Sequence, residues 1–151
     1  TYQFHGLAKD HGMNRLGAYR VAGAPYVARL EPEAVALILR QAAEDRVPVM
    51  MIFVGNPGCI QIHGGPIEKI VPMGPWINVM DPRFNLHLRA NRLAEVYAVR
   101  KPTRTGDVHS VEAFAADGEL ILQIFGFRKD TPAAPCNALV AGLPRLEEVA
   151  A

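Results

Sequence analysis

The residues with the most chemical content in this chain are cations that end two apolar, aromatic strands. Lys101 ends the run VYAVRK, and Arg128 ends ILQIFGFR. Alternate residues of a strand share a face, so Tyr97 lies on the face of Lys101, and Ile121, Gln123, Phe125 and Phe127 share a face of the later strand. Hairpins that bring both runs into one sheet would give an apolar, aromatic floor with cations at its rim. Such a surface suits a flat hydrophobic ligand that carries carboxylates. The plain alternative is two solvated strand ends.

Two further groupings have ligand chemistry. Tyr2 and His5 stand about one turn apart on a short helical segment, and phenolate and imidazole are both known axial ligands of haem iron. The same spacing also describes an ordinary half-exposed helix face. Cys59 and His63 share a strand face with Gln61, but two ligands fall short of the four that structural zinc takes. The default there is a buried thiol and a hydrogen-bonded imidazole. No orienting acid or oxyanion site accompanies the pair, which argues against a Cys-His nucleophile. The turn VGNPGC lacks the G-x-x-x-x-G-K-[ST] pattern and leads into a strand, so it is not a phosphate loop.

Composition sets the class. At 151 residues, half of them hydrophobic, the chain is one domain with room for a genuine core. A net charge of +1, with its cations scattered, argues against a nucleic-acid surface, although the short helices around Gly12 superficially suggest a helix-turn-helix. Two cysteines fit a reducing compartment better than a disulfide framework. No run is long enough to span a bilayer and no signal-peptide pattern is present. The chain starts at Thr1 and not at Met, so an upstream segment is expected to be missing.

The elements that must position these residues follow from periodicity and punctuation. The central stretch is Val49 to Gly65, two apolar runs around Asn56-Pro57-Gly58, which predicts a β-hairpin with Gly55 and Gly58 available for positive φ. Five apolar residues before Gly55 predict a strand covered on both faces. Asn14 predicts a cap for a helix from Arg15 to Ala22, and Pro32 to Asp45 is the clearest helix, with Val35, Leu37, Ile38, Leu39 and Ala42 as its core face. A strand at Tyr26 to Leu30 precedes that helix. After the hairpin come strands at Ile67 to Val71, Trp76 to Met80, Phe84 to Leu88, Glu95 to Lys101, Val108 to Ala115 and Glu119 to Phe127, then a helix from Cys136 to Leu143. The order predicts an α+β domain whose largely antiparallel sheet is built from hairpins in one piece, with helices laid against it.

The longer words carry a resemblance. MIFVGNPGCIQIHGG, VPMGPWINVMDPRFNLHL, AVRKPT and HSVEAF…GELILQIFGFR resemble the C-terminal half of the bacterial haemin-degrading and haemin-transport factor family, of the HemS, ChuS and PhuS type. The resemblance runs nearly end to end. It implies a HemS/ChuS-like half spanning residues 1–151, a fragment of a longer two-half protein. It further implies a cytoplasmic bacterial protein of iron uptake that binds haem in a cleft. Such a protein receives haem after import, from an importer, and either passes it to a haem oxygenase or, in some members, degrades it with an external reductant.

On the family's pattern, Tyr2 stands where the axial histidine is expected, in the word Thr1-Tyr2-Gln3-Phe4-His5, and His5 matches a second histidine of some members. Lys101 falls on the propionate-contacting lysine, Arg128 on an arginine of the same site, and Phe125 on the tyrosine of a Y-G-x-R word. The departure at Tyr2 leaves Tyr2, His5 or neither as the iron ligand. A distal arginine would come from the other half, and a lone half could instead pair with its own copy. No flavin or nicotinamide motif is present, so electrons for haem breakdown would come from outside. The remaining reading is a non-binding structural half.

Overall fold

A computed structural model describes residues 10–48, 50–103, 106–126 and 134–146. Helix α1 (Arg15–Val21) opens at Asn14, whose Oδ1 accepts from the Gly17 amide at 2.7 Å. Strand β1 (Val27–Leu30) leads to α2 (Ala34–Glu44), followed by the hairpin β2 (Met50–Asn56) and β3 (Cys59–Gly65). A second set of strands follows: β4 (Ile70–Met73), β5 (Trp76–Asp81) and β6 (Phe84–Arg89). Strands β7 (Glu95–Lys101), β8 (Val108–Phe114) and β9 (Leu120–Gly126) then return to the first sheet, and α3 (Ala134–Gly142) closes the chain.

The strand pairings are all antiparallel among the described residues, as the α+β reading requires. The order β1-β7-β8-β9-β2-β3 makes a six-stranded sheet. The expectation of a single sheet is corrected: β4-β5-β6 form a separate three-stranded sheet. Pro66 interrupts the chain after β3, and Pro72, with no N–H to give, suits the edge position that β4 occupies. The Asp81 carboxylate accepts from the amides of Lys69 and Glu68, at 2.8 and 3.1 Å, and fixes the start of β4 to the end of β5. The expected strand start at Ile67 therefore moves to Ile70, and Ile67 instead plugs the core.

One face of the large sheet is the main core. Ile52, Val96, Val111, Leu122 and Ile124 pack with Val35, Ile38 and Leu39 of α2 and with Cys136 and Val140 of α3. Each such buried aliphatic side chain contributes roughly 1.5–3 kcal/mol. Leu37 is not among them and stays 41% exposed. At 100° per residue it lies opposite the stripe defined by Val35, Leu39 and Ala42, so a run of apolar residues overstates the face.

The other face of the sheet is divided. Over β1, β7 and β8 it is covered by α1, whose Leu16 and Tyr19 pack on Tyr97, Val99 and Phe114. Over β9, β2 and β3 no described element covers it: Phe53 and Phe125 are half-buried, and Ile60 and Ile62 are 59% and 55% exposed. The β2 run is thus not covered on both faces as expected. Met50 and Ile52 are buried and the alternate Met51 and Phe53 are not. The hairpin itself forms at the predicted place, for a different local reason. Neither Gly55 nor Gly58 has positive φ among the described glycines. Asn56 Oδ1 caps the turn by accepting from Gly58 and Cys59 at 2.9 and 3.0 Å. At Gly55 a Cβ would stand 3.0 Å from the Cys59 carbonyl oxygen, so the close strand approach favours glycine.

Candidate functional site: an apolar floor beside a buried carboxylate

The open half of the sheet face has the character of a binding floor. Phe53 and Phe125 meet edge-on across β2 and β9, with ring centroids 4.9 Å apart. Register places Ile62 opposite Phe53, and Ile60 opposite Gly55. A groove of about 370 Å³ runs along this surface, lined by Phe53, Ile60, Ile121 and Gln123 with Arg15 and Glu119 at its margin.

Beside this floor the large sheet buries a charge. Glu112, in the middle of β8, is fully buried and lies across from Gln123 of β9 on the floor's own face. Its Oε1 accepts from the Lys101 ammonium at 2.5 Å and from Ser110 Oγ at 3.1 Å. Its Oε2 accepts from the Tyr19 hydroxyl at 2.8 Å and from Arg15 Nη1 at 3.4 Å. Burial alone would push the Glu112 carboxyl up, but the Lys101 ammonium, then Arg15 and the Tyr19 hydroxyl, more than offset this and hold it below the usual carboxylate range. The Tyr19 phenol is pushed strongly upward by burial and by the neighbouring Glu112 charge, so it stays a hydroxyl donor. Lys101 Nζ also lies 5.9 Å from the Tyr19 ring centroid, within cation–π range.

A parallel arrangement supports α1 from its far end. Arg20 and the Tyr97 hydroxyl, the latter at 2.6 Å, both donate to Glu95. Burial, then the Glu95 contact, pushes the Tyr97 phenol up to about 12. Tyr19, Tyr97 and Phe114 pack as tilted and edge-on rings, with centroids 5.8 to 6.2 Å apart. The helix over the sheet is thus fixed by aromatic packing and by two carboxylates.

These contacts place two of the sequence-derived site residues together. Lys101 and Phe125 lie on the same sheet face: Phe125 is opposite Ser110, and both Ser110 and Lys101 contact Glu112. Lys101 is 12% exposed along its side chain and anchored to Glu112, where a free rim cation was expected. Tyr2, His5, Phe127 and Arg128 lie outside the described residues. The Cys59–His63 face is turned the other way. There His63 stacks on Phe84 at 3.8 Å, with Nε2 3.2 Å from the Pro66 carbonyl. Cys59 is exposed, and not the buried thiol expected. Glu112, Tyr19 and Arg15 around Lys101 were not foreseen, and neither were Phe53, Ile60 and Ile62 of the floor. A signal for the first was present, because Glu112 sits between Val111 and Ala113 in a strand whose apolar residues point both ways, and a charge in such a strand requires a partner.

The profile of the haemin-degrading HemS.ChuX domain matches residues 12–143. The chain belongs to this family. It is 41% identical over 130 residues to the hemin transport protein HmuS of Yersinia pestis, a match covering 86% of this chain and 37% of that protein. The fold superposes on apo-PhuS, a heme-binding protein from Pseudomonas aeruginosa, with a TM-score of 0.90 and 43% identity, over 97% of this chain and 43% of PhuS. It also superposes on ChuS, described as an E. coli heme oxygenase, with a TM-score of 0.87 and 39% identity, over 94% of this chain and 44% of ChuS. The chain therefore spans less than half the length of these HemS.ChuX-domain relatives, a coverage that fits correspondence to one half of them. Among the described residues, no helix is long and apolar enough to cross a membrane.

Proposed function

We propose that this domain binds haem on the open face of β9, β2 and β3 and handles imported haem by storage or transfer. The observation that carries the reading is the joining of two features on one sheet face. Phe53, Phe125, Ile60 and Ile62 offer an apolar, aromatic surface, and Lys101 and Arg15 stand beside it, held by Glu112. The aromatic and branched side chains would exclude water from a porphyrin face, and the cations would pair with its propionates. Arg128 would add to that cationic side, and Tyr2 or His5 would approach the iron. The chain is, on this reading, one half of a longer cytoplasmic protein, completed by its other half or by a second copy. Its partners would be an importer that delivers haem and a haem oxygenase that receives it.

A second reading, breakdown of haem by the domain itself, is favoured by the ChuS relative described as a heme oxygenase. Electrons would then come from an external reductant.

The test is a haemin titration followed by absorption, on the native chain and on Ile62→Asp, Lys101→Ala, Tyr2→Ala and His5→Ala variants. Ile62 is exposed, so a carboxylate there leaves the fold intact while charging the floor. The reading expects saturable one-to-one binding in the native chain and at least tenfold weaker binding in Ile62→Asp and Lys101→Ala. It also expects an altered Soret band in one of the N-terminal variants. Equal binding by native and Ile62→Asp chains would overturn it. Product analysis under ascorbate then separates carrier from degrader.

A further inference from the structure

One carboxylate, Glu112, faces two cations, Lys101 and Arg15, and Arg15 also lines the groove over the floor. The remaining carboxylate lone pairs are filled by Tyr19 and Ser110, which fixes the orientation of Glu112 from two elements, α1 and β8. Lys101 leaves the last residue of β7, a place where a long flexible side chain would ordinarily sample solvent. Instead its ammonium is drawn back over the sheet to Glu112, whose strand neighbour is Gln123 of the floor. Among the described residues the contacts of this ammonium are the Glu112 carboxylate and the Tyr19 ring. An ammonium has three donors, so donors remain for a ligand carboxylate.

We propose that Glu112 is a positioning residue for the ligand: it holds the Lys101 ammonium in place beside the floor before a carboxylate-bearing ligand arrives. The inference rests on the haem-binding reading and deepens it. Because the lysine is already ordered, binding loses less side-chain freedom, and affinity for the carboxylate is gained without a direct contact from Glu112. The residue thereby contributes selectivity for free carboxylates over their esters.

The experiment compares haemin with haemin dimethyl ester on the native chain and on Glu112→Gln, Lys101→Ala and the double variant. Glutamine keeps the shape: its amide oxygen can accept from one of the Tyr19 and Ser110 hydroxyls, and its Nε2 can donate to the oxygen of the other. Circular dichroism and thermal unfolding establish that each variant is folded at the assay temperature, and Glu112→Asp serves as the conservative variant. The proposal expects Glu112→Gln to weaken haemin binding by about tenfold and ester binding by less than about twofold, a difference that reflects pre-organisation of one charged contact. It expects Glu112→Gln to add no further loss in the Lys101→Ala background, as for residues acting through one another. Glu112→Asp should regain part of the haemin affinity. Equal losses for acid and ester, additive losses with Lys101→Ala, or tighter haemin binding in Glu112→Gln would each overturn it. Failure of the native chain to bind haemin at all would instead overturn the haem reading on which it rests.

Discussion

Replacing Lys101 by Met removes the charge at the end of β7 while keeping most of the apolar stem. Loss of one partner from a buried ion pair typically costs about 3–5 kcal/mol, because the other charge stays buried without compensation. Here Glu112 keeps Arg15 at 3.4 Å, Tyr19 at 2.8 Å and Ser110 at 3.1 Å. The expected cost is therefore about 2–3 kcal/mol at neutral pH, a fall in Tm of roughly 4–12 °C for a domain of this size. The pH dependence has a definite sign. The folded-state carboxyl of Glu112 is held below its unfolded range, so its contribution to stability is present above that range and is lost as pH falls through the folded value. In Lys101→Met the main attractive charge is gone and Glu112 takes up a proton at higher pH than in the native chain. The penalty should accordingly be largest near pH 7 and shrink as pH falls below the ordinary carboxylate range, near 4. Urea unfolding of both chains at several pH values measures this directly. A loss below about 1 kcal/mol with no pH dependence would refute the buried-pair account.

Further outcomes follow from the same structure. Ile38→Ala, at a fully buried site, should cost about 2–5 kcal/mol, whereas Leu37→Ala one residue earlier, 41% exposed, should cost under about 0.5 kcal/mol by chemical denaturation. Gly118 turns the β8–β9 connection with φ +87°, so Gly118→Val should destabilise by roughly 1–2 kcal/mol in the same assay. The two thiols should separate in reactivity. Cys59 is exposed, while burial pushes the Cys136 thiol up to about 11, so a disulfide reagent should label one thiol in the folded chain and two in denaturant. Tyr97, pushed up to about 12, should ionise later than a free phenol in an ultraviolet titration. The stability this shift confers is present below the free-phenol value near 10 and disappears as pH rises through 12.

Much of the architecture is legible in local signals. Asn56-Pro57-Gly58 and Asp117-Gly118 mark two hairpins of the large sheet, Asn14 caps α1, and Glu95–Lys101 is a strand with the boundaries read from the chain. What local signals do not show is how strands group. The segments from Ile70 to Arg89 have the same alternating character as the rest, and only the pairing partners reveal that they form their own sheet. The two faces of β2 are likewise indistinguishable in MMIFV, because which one is covered depends on where α2, α3 and α1 come to rest. The candidate site divides along the same line. Lys101 and Phe125 stand out as a cation and an aromatic on neighbouring strands. Glu112 does not, since its partners Arg15 and Tyr19 lie 97 and 93 residues away along the chain. Its significance comes from burial, which a strand such as HSVEAF signals only when both of its faces are recognised as covered.

The most direct test of the central claim is where a porphyrin sits. In amide NMR spectra of the chain titrated with zinc protoporphyrin, a diamagnetic probe, the account predicts shifts concentrated at β9, β2 and β3, around Phe53, Ile62 and Phe125, with Lys101 and Glu112 at the margin. The amides of α2 and of the small sheet from Trp76 to Arg89 should stay in place. Shifts centred on those elements, with the floor unaffected, would contradict it.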